Sequence, residues 1–197
     1  SNIGSVKIGQ IIGQEKLKEF LEKIGILGQL NFDIKEIGKP LSFKWRECKL
    51  KTVSYGHGIT TTPIQLAKGY AILANGGFDI NPTLIKKKIN NIKKKRILKK
   101  DVSSKLNKIF RKVVTQGTAT LSDVEGYEVG GKTGTAQIVE NGNYTKKKIN
   151  TFASVFPSSD PKYVLVILLE DTKLSKDYVY KYRNKPGSYK GTPFNTA

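Results

Sequence analysis

Between residues 5 and 26, apolar side chains recur at helical spacing in two groups that are separated by Gly13. Because glycine in a helix interior is unfavourable by about 1 kcal/mol, the pattern predicts two short helices rather than one long helix. Gly25 and Gly28 are expected to end the second helix. The two apolar groups are Val6, Ile8, Ile11 and Ile12, and Leu17, Phe20, Leu21 and Ile24.

A more uniformly apolar segment follows Thr62-Pro63-Ile64-Gln65, which has the pattern of a capping box with proline at the first helical position. The segment predicts a buried central helix to about residue 74, and Asn75-Gly76-Gly77 supplies its left-handed end. Residues 29 to 52 lack sustained periodicity, so we expect an ordered loop or a small subdomain there, with Trp45 as a packing anchor.

Another helical pattern runs to Gln116 and ends at Gly117, with Asp101, Ser103 or Ser104 as its expected cap. Its apolar face consists of Leu106, Ile109, Phe110, Val113 and Val114.

Alternation of apolar and polar residues replaces helical spacing beyond residue 129. It predicts a strand from Thr133, a second over residues 150–156 and a third over residues 163–169, with a tight turn over residues 157–161. Short connections imply an antiparallel meander of about three strands. The sequence therefore predicts the α/β class, of the α+β type, with a mainly helical part over residues 1–120 and a sheet part over residues 127–197.

The first predicted strand carries the densest chemistry, in the sequence Val129-Gly-Gly-Lys-Thr-Gly-Thr-Ala-Gln-Ile-Val139. Lys132 offers an ammonium group, and Thr133 and Thr135 offer hydroxyl groups. Gly131 and Gly134 leave the backbone open to close approach by another molecule. This combination indicates a site that holds an anion.

The composition is strongly basic, with 35 Lys and Arg residues against 16 Asp and Glu residues and a net charge of +19. Such a charge is compatible with nucleic acid or an anionic polymer. Because lysine, isoleucine and asparagine are all plentiful, as in proteins encoded by AT-rich genomes, we favour a solvated surface as the explanation. The lysine-rich residues 86–100 contain no interleaved aromatic residues, so we interpret them as a solvated connection with strand character. A basic nucleic-acid-binding module stays open as an alternative.

The 197 residues are enough for one domain with a sizeable core. Cys48 is the only cysteine, which excludes an internal disulfide, and no apolar run approaches the ~20 residues of a membrane span. The chain begins without methionine and contains none, so we expect it to be a piece of a longer protein.

An enzymatic alternative comes from residues 126–133, which fit the P-loop pattern G-x-x-x-x-G-K-[ST]. Glu170-Asp171 would then place magnesium. A P-loop requires a strand before it and a helix that starts at the lysine. Here a helix and a polar linker precede the motif and strand alternation follows it, so a P-loop NTPase is the less favoured interpretation.

The Lys-Thr-Gly-Thr sequence is also a signature of serine acyltransferases that recognise a D-alanyl carboxylate or a β-lactam. With its surroundings, it makes the chain resemble the C-terminal part of the transpeptidase domain of class B penicillin-binding proteins, most similar to the division-type septal peptidoglycan synthases. The segments that carry the resemblance are Ser54-Tyr-Gly-His-Gly-Ile-Thr-Thr-Thr-Pro-Ile-Gln-Leu-Ala, Gln116-Gly-Thr-Ala, Gly131-Lys-Thr-Gly-Thr-Ala-Gln, Phe152-Ala-Ser-Val-Phe-Pro and Asp160-Pro-Lys-Tyr-Val.

The resemblance implies a truncated penicillin-binding-protein/serine β-lactamase-like transpeptidase fold and a D,D-transpeptidase that cross-links peptidoglycan stem peptides through a serine acyl-enzyme in septal wall synthesis. Implied partners are stem peptides, the lipid-linked precursor, β-lactam antibiotics and cell-division membrane proteins, the last through an N-terminal region absent from this chain. The implied location is the periplasmic face of the inner membrane, with an anchor in that absent region. No cofactor, metal or nucleic acid is implied.

The resemblance also assigns the site residues. Lys132 is catalytic, and Thr133, Gly134 and Thr135 bind substrate through carboxylate and oxyanion contacts. Asn2 is a further catalytic residue, the asparagine of a Ser-x-Asn motif whose leading serine precedes Ser1.

The family's nucleophile and base lie in a Ser-x-x-Lys motif on a helix. The one formal match, Ser159 to Lys162, contains Pro161 and is expected to be a turn, so the 197 residues alone should lack activity. His57 and Ser54 are expected to be structural, and no residues have metal-ligand spacing.

Overall fold

The computed structural model describes residues 1–34, 37–41, 43–86, 95–140, 142–172, 179–181 and 188–190. The described residues form helices α1 (Asn2–Ile12), α2 (Gln14–Lys23), α3 (Glu47–Val53), α4 (Pro63–Ala74) and α5 (Lys100–Gln116), and strands β1 (Gly130–Glu140), β2 (Asn143–Phe156), β3 (Tyr163–Glu170), β4 (Val179–Lys181) and β5 (Ser188–Lys190). Among them, no helix combines the length and the apolar character that a membrane crossing requires.

The predicted break between the first two helices is confirmed at Gly13, which has a φ of 84°. The apolar stripe of α1 is not buried, however, since Ile8 and Ile11 are 59% and 84% exposed. The buried residue of α1 is Gly9. A Cβ there would lie 1.9 Å from the Ser54 hydroxyl oxygen, so the close contact between α1 and the end of α3 requires glycine.

Helix α3 lies within the region that was expected to be a loop or subdomain. At seven residues it is too short to show a periodic pattern, which explains why the sequence does not reveal it. The Trp45 side chain is half-buried and packs on Phe43, with ring centroids 5.2 Å apart. Because Phe43 belongs to the same segment, the role of Trp45 as an anchor stays a prediction.

Helix α4 begins with the predicted capping box, in which the Thr62 and Gln65 side chains each bond to the other residue's backbone. Gln65 is 1% exposed, and its amide also donates to the carbonyl oxygens of Gly25 and Gly28, at 3.1 and 2.8 Å. One side chain therefore caps α4 and fixes the loop after α2. The predicted left-handed end is confirmed by φ values of 88° and 84° at Gly76 and Gly77.

The predicted cap of α5 is wrong, because the helix begins at Lys100 and no side chain caps it. Ser103 is buried and bonds instead to the end of α4, where its hydroxyl donates to the Leu73 carbonyl at 2.5 Å and accepts from the Gly76 N–H at 3.0 Å. The serine therefore joins two helices rather than starting one.

The three-stranded antiparallel meander is confirmed, with the order β1-β2-β3. Helices α4 and α5 pack on one face of it, where Val155 contacts Ala74 and Phe110. The other face is more open, and Leu165 and Ile167 on β3 are 47% and 44% exposed. Strands β4 and β5 form a separate two-stranded sheet.

Most of the lysine-rich stretch, residues 87–94, lies outside the described residues. At its end, Arg96 forms a β-bridge with Phe78, and the Lys95 carbonyl accepts from the Asp79 N–H at 2.8 Å. Among the described residues of that stretch, the expected strand character is limited to this one bridge.

Gln65 generates a testable prediction about stability. Gln65→Leu keeps the side-chain size but removes the donor to the Gly25 and Gly28 carbonyl groups and removes the capping box, so it should lower the free energy of unfolding by about 2–3 kcal/mol. Chemical denaturation measures the change. Gln116→Leu, at the exposed end of α5, is the matched control and should cost under ~0.5 kcal/mol. Equal stability of the two variants would contradict the role of Gln65.

Candidate active site

Two buried glycines place the start of β1 against its neighbours. A Cβ at Gly130 would lie 3.0 Å from the Arg111 backbone nitrogen of α5. A Cβ at Gly131 would lie 2.5 Å from the Ala153 carbonyl oxygen and 3.0 Å from the Phe152 ring. Because Gly130 has no side chain, α5 can pack closely against one side of the strand. The missing side chain at Gly131 likewise lets β2 and its Phe152 ring pack against the strand.

These distances correct the expectation that Gly131 and Gly134 leave the backbone open to another molecule. The space beside Gly131 is filled by the chain's own β2. A Cβ at Gly134 would lie 2.6 Å from the Thr151 hydroxyl oxygen, which bonds to the Gly134 carbonyl at 3.4 Å. Both glycines therefore serve internal packing, and the substrate contact assigned to Gly134 stays a prediction.

Lys132 lies immediately after the buried glycines. Its ammonium group donates to the Thr133 carbonyl oxygen at 2.8 Å, which holds the charge beside the strand. Although the residue is exposed overall, partial burial of the ammonium lowers its pKa from the ordinary lysine value. The group is thus a positive charge that is held in place and only partly hydrated.

Thr133 has a partner that the sequence did not identify. Its hydroxyl oxygen lies 2.8 Å from the hydroxyl oxygen of Thr118, in the segment after α5. The sequence singled out residues 116–119 only as part of a resemblance. Their spacing in the chain gave no signal of this contact, because the two threonines are fifteen residues apart and lie on different elements.

A tight turn at the end of α5 holds Thr118 in place. The N–H groups of Gly117 and Ala119 both donate to the Val113 carbonyl oxygen, at 3.1 Å each. Ala119 is buried in a cluster that includes Val114 and Phe152. A Cβ at Gly117 would lie 2.7 Å from the Val113 oxygen, so the turn requires glycine. The backbone at Thr118 is therefore fixed by hydrogen bonds of the residues on either side of it and by the burial of Ala119.

Thr135 bonds to the interior of the sheet. Its hydroxyl donates to the Asn150 side-chain oxygen at 3.2 Å, and the Asn150 amide donates to the Thr172 hydroxyl at 2.8 Å. Asn150 is 2% exposed, so this chain of bonds fixes the orientation of Thr135.

Asn2 lies on a different element from this group, at the start of α1. Asn2 is exposed at the first turn of α1, where the Ser1 side chain accepts from the Gly4 N–H at 3.4 Å. Helix α1 packs on α2 and α3, whereas β1 packs on α5 and β2. The catalytic role of Asn2 stays a prediction.

The P-loop interpretation is wrong on structural grounds. Lys132 and Thr133 lie inside a strand that continues to Glu140, so no helix begins at the lysine and no helix N-terminus faces a bound phosphate.

The Ser159 to Lys162 match is not a nucleophile and its base. It lies in the bend between β2 and β3, where the Ser159 hydroxyl donates to the Glu128 carboxylate. The Lys162 ammonium points to Asp160 instead, at 3.5 Å. The expectation of a turn is confirmed.

The structure gives Ser54 and His57 places in a turn between α3 and α4. The Ser54 hydroxyl donates to the Leu50 carbonyl at 2.7 Å. His57 lies between two glycines with positive φ, and its ring packs on Tyr55 with centroids 5.1 Å apart. Neither residue contacts the Lys132 group. Within the described ranges, no three His, Cys, Asp or Glu side chains form a metal-binding cluster.

The start of β1 thus presents one ammonium group and the hydroxyl pair of Thr118 and Thr133, with Thr135 two residues further along the strand. The ammonium and the hydroxyl pair are donors to a carboxylate, whereas the Thr135 hydroxyl already donates to Asn150, and bonds to a charged acceptor are about twice as strong as neutral ones. The arrangement is suited to binding a small anionic group at the edge of a sheet.

Comparison with known proteins gives the context of this site. The model of the family described as the penicillin binding protein transpeptidase domain matches residues 1–189. The chain is 30% identical over 187 residues to the stage V sporulation protein D of Bacillus subtilis, which covers 87% of this chain and 29% of the relative. It is 29% identical over 187 residues to the probable peptidoglycan D,D-transpeptidase FtsI of Caulobacter vibrioides, which covers 88% and 31%.

The fold of the chain also matches solved structures of penicillin-binding proteins. The transpeptidase domain of penicillin-binding protein 3 from Burkholderia pseudomallei has a TM-score of 0.80 at 28% identity, over 87% of this chain and 54% of that chain. Penicillin-binding protein 3 of Mycobacterium tuberculosis, in complex with aztreonam, has a TM-score of 0.79 at 27% identity, over 87% and 43%. The chain therefore spans about half or less of each of these structures and less than a third of the two relatives.

The packing at Gly131 can be tested directly. Gly131→Ala places a methyl group against the Ala153 carbonyl and the Phe152 ring, so it should destabilise the protein by about 1–3 kcal/mol. Gly38→Ala is the control, because a Cβ there lies at an ordinary 3.5 Å from Thr62, and its change should stay within ~0.5 kcal/mol. Urea denaturation compares them. If Gly131→Ala leaves the free energy of unfolding unchanged, β1 is not closely packed against β2 at this position.

Proposed function

Because the chain belongs to the penicillin-binding protein transpeptidase domain family, we propose that the start of β1 binds the terminal carboxylate of a peptidoglycan stem peptide in a D,D-transpeptidase. The single observation that carries the proposal is the 2.8 Å contact between the hydroxyl oxygens of Thr118 and Thr133, beside the Lys132 ammonium. Two relatives named as probable peptidoglycan D,D-transpeptidases support the reaction class.

The hydroxyl pair and the ammonium have distinct tasks in this proposal. Each threonine hydroxyl has one proton, and a carboxylate placed between or beside the two hydroxyls accepts the proton that is not shared between them. Lys132 adds positive potential without needing direct contact. Thr135, whose side chain bonds to the buried Asn150, supplies a backbone N–H for the oxyanion that forms on the attacked carbonyl.

We propose that the reaction proceeds through a serine ester. The serine oxygen attacks the penultimate D-alanine carbonyl, its proton passes through a base to the departing amine, and D-alanine leaves. The amino group of a neighbouring stem peptide then attacks the ester, forms the cross-linking amide and returns the serine. The one Ser-x-x-Lys match in the sequence begins at Ser159, which is bonded to Glu128 in a bend, so the nucleophile in this proposal comes from outside these 197 residues.

The same chemistry accounts for inhibition by β-lactams. Structures of a relative from Mycobacterium tuberculosis hold aztreonam or ampicillin. For the present protein we infer that a β-lactam acylates the same serine and that its anionic group binds at Lys132, Thr133 and Thr118. The septal role, the division partners and the periplasmic location that follow from the resemblance are part of the proposal.

Acylation of the full-length protein by a fluorescent penicillin tests the site. Lys132→Ala and Thr133→Val should each lower the second-order rate constant of labelling by about 10- to 100-fold, because each removes a group that binds the anion at about 1.5–3 kcal/mol. Thr118→Val should have a smaller effect in the same direction. Lys146→Ala, an exposed lysine on β2, is the control and should change nothing. Unchanged labelling in the first two variants would refute the assignment.

The pH dependence of labelling tests Lys132 separately. The lowered pKa of Lys132 means that the ammonium loses its proton at a lower pH than an ordinary lysine, whose pKa is about 10.4. Labelling should therefore decline on the alkaline side below that value. Lys132→Arg keeps its charge to pH ~12, so the decline should move to higher pH even if the maximum rate falls. If the alkaline decline in labelling occurs at the same pH in Lys132→Arg, the decline is due to the titration of another group.

A further inference from the structure

Helix α5 presents a row of lysines to solvent. Lys105, Lys108 and Lys112 are all exposed and lie on one face at spacings of three and four residues. The opposite face of the helix is buried. The buried residues are Ser103, Asn107, Phe110 and Val114. We refer to Lys105, Lys108 and Lys112 as the α5 ridge.

The charges of the α5 ridge have no acidic partner within the described part of the chain. Other basic residues do have such partners, since Arg111 on the same helix pairs with Asp123 at 2.7 Å and Lys147 on β2 pairs with Glu140 at 2.9 Å. Three uncompensated positive charges on one helix face produce a local positive potential that attracts polyanions.

The ridge leads to the proposed active site. Helix α5 ends at Gln116, and Thr118 in the following turn contacts Thr133 at 2.8 Å. With a rise of about 1.5 Å per residue, Lys112 lies roughly 9 Å before Thr118 along the helix axis and Lys105 lies roughly 20 Å before it. Along the helix axis, the row of charges therefore runs toward the turn whose Thr118 is proposed to bind the terminal carboxylate.

We infer that the α5 ridge binds the carboxylate-bearing peptidoglycan strand, outside the active site, and delivers its stem peptides to Thr118 and Thr133. The inference rests on the proposed function, which supplies the chemistry of the ligand: a polymer with repeated free carboxylates. An anionic membrane is the less suitable partner. The exposed face of α5 contains only two large apolar residues, Val102 and Ile109, whereas a helix that lies in a membrane interface buries a broad apolar face.

Cosedimentation of the full-length protein with purified peptidoglycan sacculi tests the inference. The triple variant Lys105→Glu/Lys108→Glu/Lys112→Glu should bind about tenfold more weakly than wild type at low ionic strength, and added salt should weaken the wild type. A matched control is Lys16→Glu/Lys39→Glu/Lys44→Glu, which changes the net charge equally at other exposed positions and should stay within about twofold. A second triple variant with glutamine at 105, 108 and 112 avoids new repulsion with Asp101 and should weaken binding by an intermediate amount.

Three outcomes would overturn the inference. The first is unchanged sacculus binding in both ridge variants, and the second is an equal loss of binding in the ridge and control variants. The third is that the ridge substitutions weaken binding to anionic phospholipid vesicles but not to sacculi. Penicillin labelling in the same preparations keeps the proposals apart. If wild type and the ridge variants are labelled alike while sacculus binding does not change, the ridge inference fails and the proposed function stands. If wild type is not labelled at all, the proposed function fails and the ridge inference fails with it.

Discussion

The close approach of α5 and β2 to the backbone at Gly130 and Gly131 is the constraint on which the site depends. A single methyl group at Gly131 would lie 2.5 Å from a carbonyl oxygen, so the strand can start where it does only if both side chains are absent. This packing joins the helical part to the sheet, because α5 contacts β1 and the Phe152 ring reaches the cluster with Val114. The residue after these glycines is Lys132.

Two elements that meet at this junction supply the proposed carboxylate site. The strand provides Lys132 and Thr133, and the turn after α5 provides Thr118. The turn is fixed by two bonds to the Val113 carbonyl and by burial of Ala119, and the Thr118 hydroxyl contacts the Thr133 hydroxyl. Preorganised donors of this kind need little rearrangement when charge develops on a bound group. The same helix extends the positive potential of the site outward through its exposed lysines.

Sequence patterns predicted the features that depend on neighbouring residues, such as the helix break at Gly13, the capping box of Gln65 and the alternation of the sheet. Features that depend on distant partners were missed or misassigned. Ser103 was expected to cap its own helix but bonds to Leu73, thirty residues away. Gly131 was expected to let a ligand approach the backbone, but the space beside it is occupied by β2. The contact of Thr118 with Thr133 was not foreseen, because no local pattern encodes it. The motif Lys-Thr-Gly-Thr itself was identified correctly as strand, since alternation continues past it.

The central claim is that these residues bind the substrate for a serine that lies elsewhere in the protein. Mass spectrometry of the full-length protein after treatment with benzylpenicillin, followed by peptide mapping of the adduct, tests it most directly. The account predicts one acyl group on a serine outside residues 1–197, followed three residues later by lysine. An adduct on Ser159 or on any other residue of this chain, or no covalent adduct at all, would contradict it.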